Sequence, residues 1–357
     1  MKIEKIIGIG FFIATLSLMG MQFYIRNTYI FEPYTYIGYA KSVYVEDDIA
    51  YIADDSYGLV IMDVSAPSKA YELGRLSQGP SWGHGLQIYV RNQVAYLVGN
   101  HKLRLIDISN LSSPSQFSEL DISGSEINGM YVDFPHFYLY GGSNFWIYNF
   151  SNYFSPSQLG HINLGHSINN IYVSNNIAYI TYNNGLKTID VSNSSNPTEL
   201  GQFGDVNYYG CVVEDNIAYV KTRHYIDIID VSVPSNPTKL SQFDEGGIIV
   251  LEYGIDVLDD TLYVTGLSDG LELIDVSDPL KPFKYAQFSL RIPFDLYIKF
   301  PYAYIACADD GLKIVDISNA SFWNQIPSIL NFAITITSIG VIVSLILLKL
   351  RIQKKKV

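Results

Sequence analysis

The stretch LVIMDVS at residues 59–65 recurs along the chain as LRLIDIS at 103–109, LKTIDVS at 186–192, IDIIDVS at 226–232, LELIDVS at 271–277 and LKIVDIS at 312–318. A degenerate copy, FWIYNFS, occupies 145–151. The aligned positions Asp63, Asp107, Asn149, Asp190, Asp230, Asp275 and Asp316 lie 40 to 45 residues apart. A period of that length around a strand-like core marks a β-propeller blade. Seven copies predict an all-β fold, a seven-bladed β-propeller over residues 34–320.

Within one repeat the order is legible. In the first, VYVEDD (43–48) opens a strand, IAYIA (49–53) is a second, DDSYG (54–58) a turn, LVIMDV (59–64) a third strand, SAPSKA (65–70) a loop and YELGRL (71–76) a fourth. Alternation of apolar residues, punctuated by Gly, Pro and Asp, predicts strands joined by tight turns. The repeated Asp ends the third strand before a Ser, where a short carboxylate can accept backbone N–H groups of the turn. It reads as a cap rather than as a catalytic group. Repeat 3 departs, with Asn149 for Asp and an aromatic run of Phe145, Trp146, Tyr148 and Phe150 that reads as packing. Cys211 and Cys307 fall in different repeats and read as buried small hydrophobes.

The last repeat supplies three strands and lacks a fourth. EPYTYIGY (32–39) resembles the fourth-strand segments PTELGQF (197–203) and PTKLSQF (237–243), so the N-terminal strand is expected to complete the final blade. Closing the ring this way removes an exposed edge. Both ends should then leave the ring together, on the face of the third-to-fourth loops.

Those ends are apolar. Residues 6–25 read IIGIGFFIATLSLMGMQFYI, and residues 326–348 form 23 uncharged positions followed by KLRIQKKKV. The second segment is long enough to cross a bilayer, and its basic flank marks the cytoplasmic side. Residues 1–27 read as a transmembrane signal-anchor, 326–348 as a C-terminal transmembrane helix and 349–357 as a basic cytoplasmic tail. The propeller is thus expected flanked by two transmembrane helices, outside the cell membrane, with both termini cytoplasmic. Sequons at Asn110, Asn149, Asn193 and Asn319 are compatible with export.

Eight of the 23 basic residues and one of the 35 acidic ones lie in the two ends, which leaves 15 basic against 34 acidic residues between them. Such a body repels phosphate backbones and argues against nucleic acid as a partner. The face opposite the membrane is expected to carry Asp54, Asp55, Asp269, Asp309 and Asp310 in its turns, and His84, Glu126, His166, Glu252 and Asp295 in the blade connections. Acidic residues followed by Gly are ordinary hairpin turns. The functional reading is an acidic, His-bearing rim that binds a basic protein, a glycan or a cation. Calcium suits clustered carboxylates, but no D-x-D-x-D-G loop is present and no cofactor is expected.

The phrase LVIMDVS, with LKIVDIS and LELIDVS, is similar to the LVIVD repeat. That resemblance implies a β-propeller of the kind found in bacterial and archaeal surface proteins, and it carries no catalytic residues over. The chain shows no H-E-x-x-H and no G-x-x-x-x-G-K. The reading that follows is a membrane-anchored surface binding module for a protein or glycan, not an enzyme. The alternatives are an extracellular hydrolase or lyase, with His84, Glu126, His166 and Glu252 in an axial funnel, and an accessory subunit of a membrane complex.

Overall fold

The computed structural model describes residues 30–33, 37–76, 87–99, 102–122, 126–244, 254–266, 270–318 and 320. The segments expected to span the membrane, 6–25 and 326–348, lie outside the described residues. Among the described residues no helix is long and apolar enough to cross a membrane. The strands belong to one compact unit ending at Asp316; of a second unit, starting at Ile317, only Ile317, Ser318 and Ala320 are described.

Seven four-stranded antiparallel sheets form the blades of a propeller. Blade 1 contains Ala40–Glu46, Ile49–Asp54, Gly58–Asp63 and Tyr71–Leu76 in that spatial order. Blades 2 to 6 repeat the order over 87–120, 129–163, 168–203, 210–244 and 255–288. Repeat 3 thus makes an ordinary blade despite its departures. First strands of neighbouring blades lie side by side and surround the axis. First-to-second turns and third-to-fourth loops share one face, here the loop face. Second-to-third turns and blade connections share the other, the turn face.

Local chemistry explains the hairpins. Asp47 and Asp48 both hold positive φ, as do Asn92 and Gln93, Asn175 and Asn176, Asp215 and Asn216, and Asp259 and Asp260. Two consecutive positive φ values define the tight hairpin whose twist matches the strands, and Asn and Asp tolerate it best. The repeated Asp is a cap. Its carboxylate accepts the N–H two residues on, at 2.9 Å from Ser65 to Asp63, 2.9 Å from Ser109 to Asp107 and 2.8 Å from Ser232 to Asp230. Asn149 does the same for Ser151 at 2.7 Å, which is why the degenerate repeat keeps its turn. Hydrogen bonds from the following Ser hold Asp63, Asp107, Asp190 and Asp230 below the usual carboxylate range.

The core lies between blades. One cluster joins Val43, Val45, Ile52, Val60 and Met62 of blade 1 to Tyr304, Leu312 and Ile314 of blade 7. Another joins Val212, Tyr219, Ile226 and Ile228 of blade 5 to Leu262, Val264 and Ile274 of blade 6. Cys211 and Cys307 are free and buried, as read from the sequence.

The N-terminal strand does complete blade 7, but over a different stretch from the one expected. Ile30 pairs with Val315 and Phe31 with Ile314, and no strand is assigned at 32, 33 or 37–39. Pro33 supplies the reason, since it has no N–H to give a ladder. Phe31 packs on Tyr302, with ring centroids 6.4 Å apart, and Glu32 pairs with Lys313 at 2.8 Å. Ile37 is instead buried in the seam between blades 7 and 1.

The outer strands are stitched to the next blade. In blade 1 the register slips between Ile61 and Met62, and the third-to-fourth loop of blade 2 settles on Gly74 there. A Cβ on Gly74 would lie 2.3 Å from the Leu111 carbonyl oxygen, and one on Gly160 would lie 2.1 Å from that of Ser194. Ser241 completes the series with a hydrogen bond to the Pro279 carbonyl. Gly74→Ala and Gly160→Ala should each lose about 1–3 kcal/mol by overpacking against backbone. Gly266→Ala, whose Cβ would meet nothing within 4 Å, should stay within about 0.5 kcal/mol of the parent. Urea unfolding of the three variants checks both.

Candidate functional site

The turn face separates the predicted site residues. Asp54 is fully buried. Its Oδ1 accepts N–H groups of Ser56 and Tyr57, both at 2.8 Å, so it holds the second-to-third turn of blade 1 rather than facing a partner. Burial pushes its carboxyl up despite those bonds. Asp55 is partly exposed, and its backbone N–H bonds the Tyr39 carbonyl at 3.0 Å. Asp309 and Asp310 are exposed in the corresponding turn of blade 7. The two turns are neighbours across the closing seam, where Ala40 N–H bonds the Ala308 carbonyl at 3.0 Å.

Glu126 is exposed in the connection from blade 2 to blade 3. His166, in the connection from blade 3 to blade 4, is exposed with its ring 5.1 Å from that of Tyr182. His84, Glu252 and Asp269 lie outside the described residues. The structure therefore groups Asp55 with Asp309 and Asp310 at one seam and leaves Glu126 and His166 in separate connections. Among the described residues no three His, Cys, Asp or Glu side chains converge as metal ligands.

Sequence reasoning missed the axis. The third-from-last residue of the first strand is Tyr44, Tyr89, Tyr131, Tyr172 and Tyr297 in five blades, Val212 in blade 5 and Asp256 in blade 6. Each Tyr is half-buried and leans toward the next blade. Ring centroids are 5.3 Å apart for Tyr44 and Tyr89, 5.0 Å for Tyr44 and Tyr297, and 5.1 Å for Tyr131 and Tyr172. The signal was present as a repeated Tyr followed by Val or Ile, but strand alternation alone does not say which edge meets the axis.

Asp256 is the one carboxylate in this ring of aligned positions. Its Oδ1 accepts the Val257 N–H at 2.9 Å. Burial dominates over that bond and, helped by the nearby carboxylates of Asp295 and Glu214, pushes the Asp256 carboxyl up to about 6. Asp295 serves the seam: its Oδ2 accepts from Ser42 Oγ at 2.6 Å and from the Val43 N–H at 3.2 Å. A wall of phenol rings broken by one carboxylate has the chemistry to meet a cationic group.

Comparison with known proteins agrees with this architecture. The profile of the LVIVD repeat matches residues 37–77, 83–121, 165–205, 210–245 and 295–328, more than half of the chain. Blade 3 falls between the matches, as its departures lead one to expect. Blade 6 does so too, although LELIDVS is intact. No curated protein matches the chain. Among solved structures, a protein from Lactobacillus plantarum is similar with a TM-score of 0.60 at 13% identity, over 70% of this chain and 84% of that one. The computationally designed protein Ika8 gives 0.57 at 10% identity, over 80% and 98%. BamB from Moraxella catarrhalis gives 0.53 at 11% identity, over 77% and 82%. At such identities the likeness is one of fold.

The Asp256 pKa has a consequence for stability. A carboxyl raised in the folded state favours folding while protonated. That contribution is complete below the unfolded pKa near 4 and is lost as pH rises through about 6. Asp256→Asn should therefore stabilise the chain by about 2–3 kcal/mol at pH 7.5, and the gain should vanish at pH 4. Thermal unfolding of both proteins across that range measures it; a gain independent of pH would refute the assignment.

Proposed function

The chain belongs to the LVIVD repeat family, and on that footing we propose that it is a membrane-anchored propeller on the outer side of the cell membrane. Its turn face binds a protein or glycan partner. One observation carries the reading. Ile30 lies opposite Val315, so the chain enters and leaves the ring at adjacent points on the loop face. The apolar segments 6–25 and 326–348 lie close to those points in sequence, and the basic residues beyond each favour the cytoplasm for both termini. Two spans leaving from the loop face turn the opposite face outward.

The partner reading rests on charge. Residues 28–325 include 34 acidic and 15 basic ones, and Asp309 and Asp310 are exposed on the turn face with Asp55 on the neighbouring blade. A field of that sign favours a basic protein surface over an anionic glycan.

Two experiments test the reading. Cys211 and Cys307 are buried, so a new surface cysteine reports alone. In intact cells a membrane-impermeant maleimide should label Asp309→Cys at once and Lys354→Cys only after permeabilisation; the reverse pattern would sink the topology. For partner binding, the full chain should retain a protein or glycan in cross-linking from intact cells. The Asp55→Asn, Asp309→Asn, Asp310→Asn triple variant should lose it at least tenfold, about 1.4 kcal/mol. Equal recovery from both proteins would move the partner surface off this face.

A further inference from the structure

The seven repeats act as controls for one another. After the capped Asp each third-to-fourth loop has the same length, so its positions align without gaps. The fifth position after Asp is Ser68, Ser112, Ser195 and Ser235 in blades 1, 2, 4 and 5, but Phe154 in blade 3 and Leu280 in blade 6. The third is Asn110, Asn152, Asn193 and Asp278 in blades 2, 3, 4 and 6, Ala66 in blade 1 and Val233 in blade 5. The first residue of the first-to-second turn is Asp47, Asn92, Asn175, Asp215 and Asp259 in blades 1, 2, 4, 5 and 6, but Phe134 in blade 3 and Phe300 in blade 7. Phe154 is 71% exposed, Leu280 61%, Phe300 58% and Val233 55%. Sister loops fold with Ser, Asn, Asp or Ala at the two loop positions, so the fold itself does not require Phe154, Leu280 or Val233 there; Phe134 is half-buried beneath Arg91, whereas Phe300 at the same place in blade 7 stays exposed. Phe154 does rest one edge on Phe117, at 5.5 Å between centroids, yet most of its surface stays in water.

All four side chains lie on the loop face, on blades 3, 5, 6 and 7, so they are spread around the ring rather than gathered in one groove. That pattern suits a flat apolar partner better than a peptide. The chain ends identify it. Four residues lie between Ile25, where the first apolar segment ends, and Ile30, and nine lie between Asp316 and Ile326, that is, five and ten residue steps. At full extension these reach roughly 17 Å and 35 Å. Resting on the anchored reading above, these tethers hold the loop face close to the bilayer surface.

We infer that the loop face lies on the membrane, with Phe154, Val233, Leu280 and Phe300 inserted at the boundary between headgroups and acyl chains. Side chains of this kind enter that zone by burying apolar area. The same face carries Asp47, Asp48, Asp215, Asp259 and Asp260 in its turns, so the lipids it suits are zwitterionic rather than anionic.

Site-directed spin labelling of the full chain in phosphatidylcholine nanodiscs tests this. The nitroxide goes on Ser235→Cys, a loop-face position beside the apolar tips that leaves all four in place, and on Asp309→Cys as the turn-face reference. Collision with oxygen relative to a water-soluble nickel chelate should be severalfold higher at 235 than at 309. It should fall toward the reference when Phe154, Leu280 and Phe300 are all replaced by Ser, the residue or polarity found in sister loops. A label at 235 as open to nickel as the one at 309 overturns the inference. A label at 235 shielded from both reagents overturns it in favour of a protein partner or a second copy. If the chain fails to stay with lipid at all, the anchored reading falls with it; retention in the disc with a water-exposed loop face defeats this inference alone.

Discussion

Each blade presents two apolar faces, and neither can be covered from within the blade. Ile52 and Val60 of blade 1 look toward blade 7, while Tyr51, Leu59 and Ile61 look toward blade 2. The core is therefore a set of wedges between blades, and burial of apolar area there is the main favourable term. A linear stack would leave two outer faces in water. Joining the last blade to the first removes both, and the other features of the molecule follow from that closure. The N-terminal strand must return to blade 7, the two chain ends must meet at one place, and seam contacts such as Asp295 with Ser42 must span the first and last repeats.

The same closure divides the surface into two unlike faces. Turn-face elements tie the seam, with Asp54 spent inside its own turn and Asp55 beside the chain as it crosses to blade 1. Loop-face elements clasp the outer strand of the preceding blade, and their tips are free to vary once that clasp is made. Blades 3, 5 and 6 use that freedom to carry Phe154, Val233 and Leu280, while blade 4 keeps Ser194, Ser195 and Asn196. Variation on a repeating scaffold, at positions the scaffold does not constrain, is where a repeat protein places its contacts. The axis follows the opposite logic. Tyr recurs in five of the aligned positions because first strands crowd there and large flat rings fill the space between them.

Much of this was legible from residues alone. The recurrence of LVIMDVS, the alternation within each repeat, and the Asp before Ser predicted blade number, strand order and cap. Glycine and proline are legible in the sequence as punctuation but not as contacts. Nothing local to Gly74 or Gly160 says that the loop of another repeat will press on it. The closing strand was expected at 32–39 from its likeness to sister segments, and Pro33 moved it to Ile30 and Phe31. Asp54 looked like its neighbour Asp55, yet one is buried and the other partly open, because the burial of a turn residue depends on what the adjoining blade lays over it.

The sequence by itself determined the elements that need only near neighbours: strand alternation, two-residue hairpins built on Asn and Asp, and a carboxylate cap two residues before the N–H it accepts. These interactions close within a few residues, so their pattern is written in the local chain. Tertiary structure alone decided which residues meet across a seam: Ile30 with Val315, Gly160 with Ser194, Tyr44 with both Tyr89 and Tyr297. Those partners are separated by tens to hundreds of positions, and they are brought together by the geometry of a closed ring, in which each face is completed by the blade beside it.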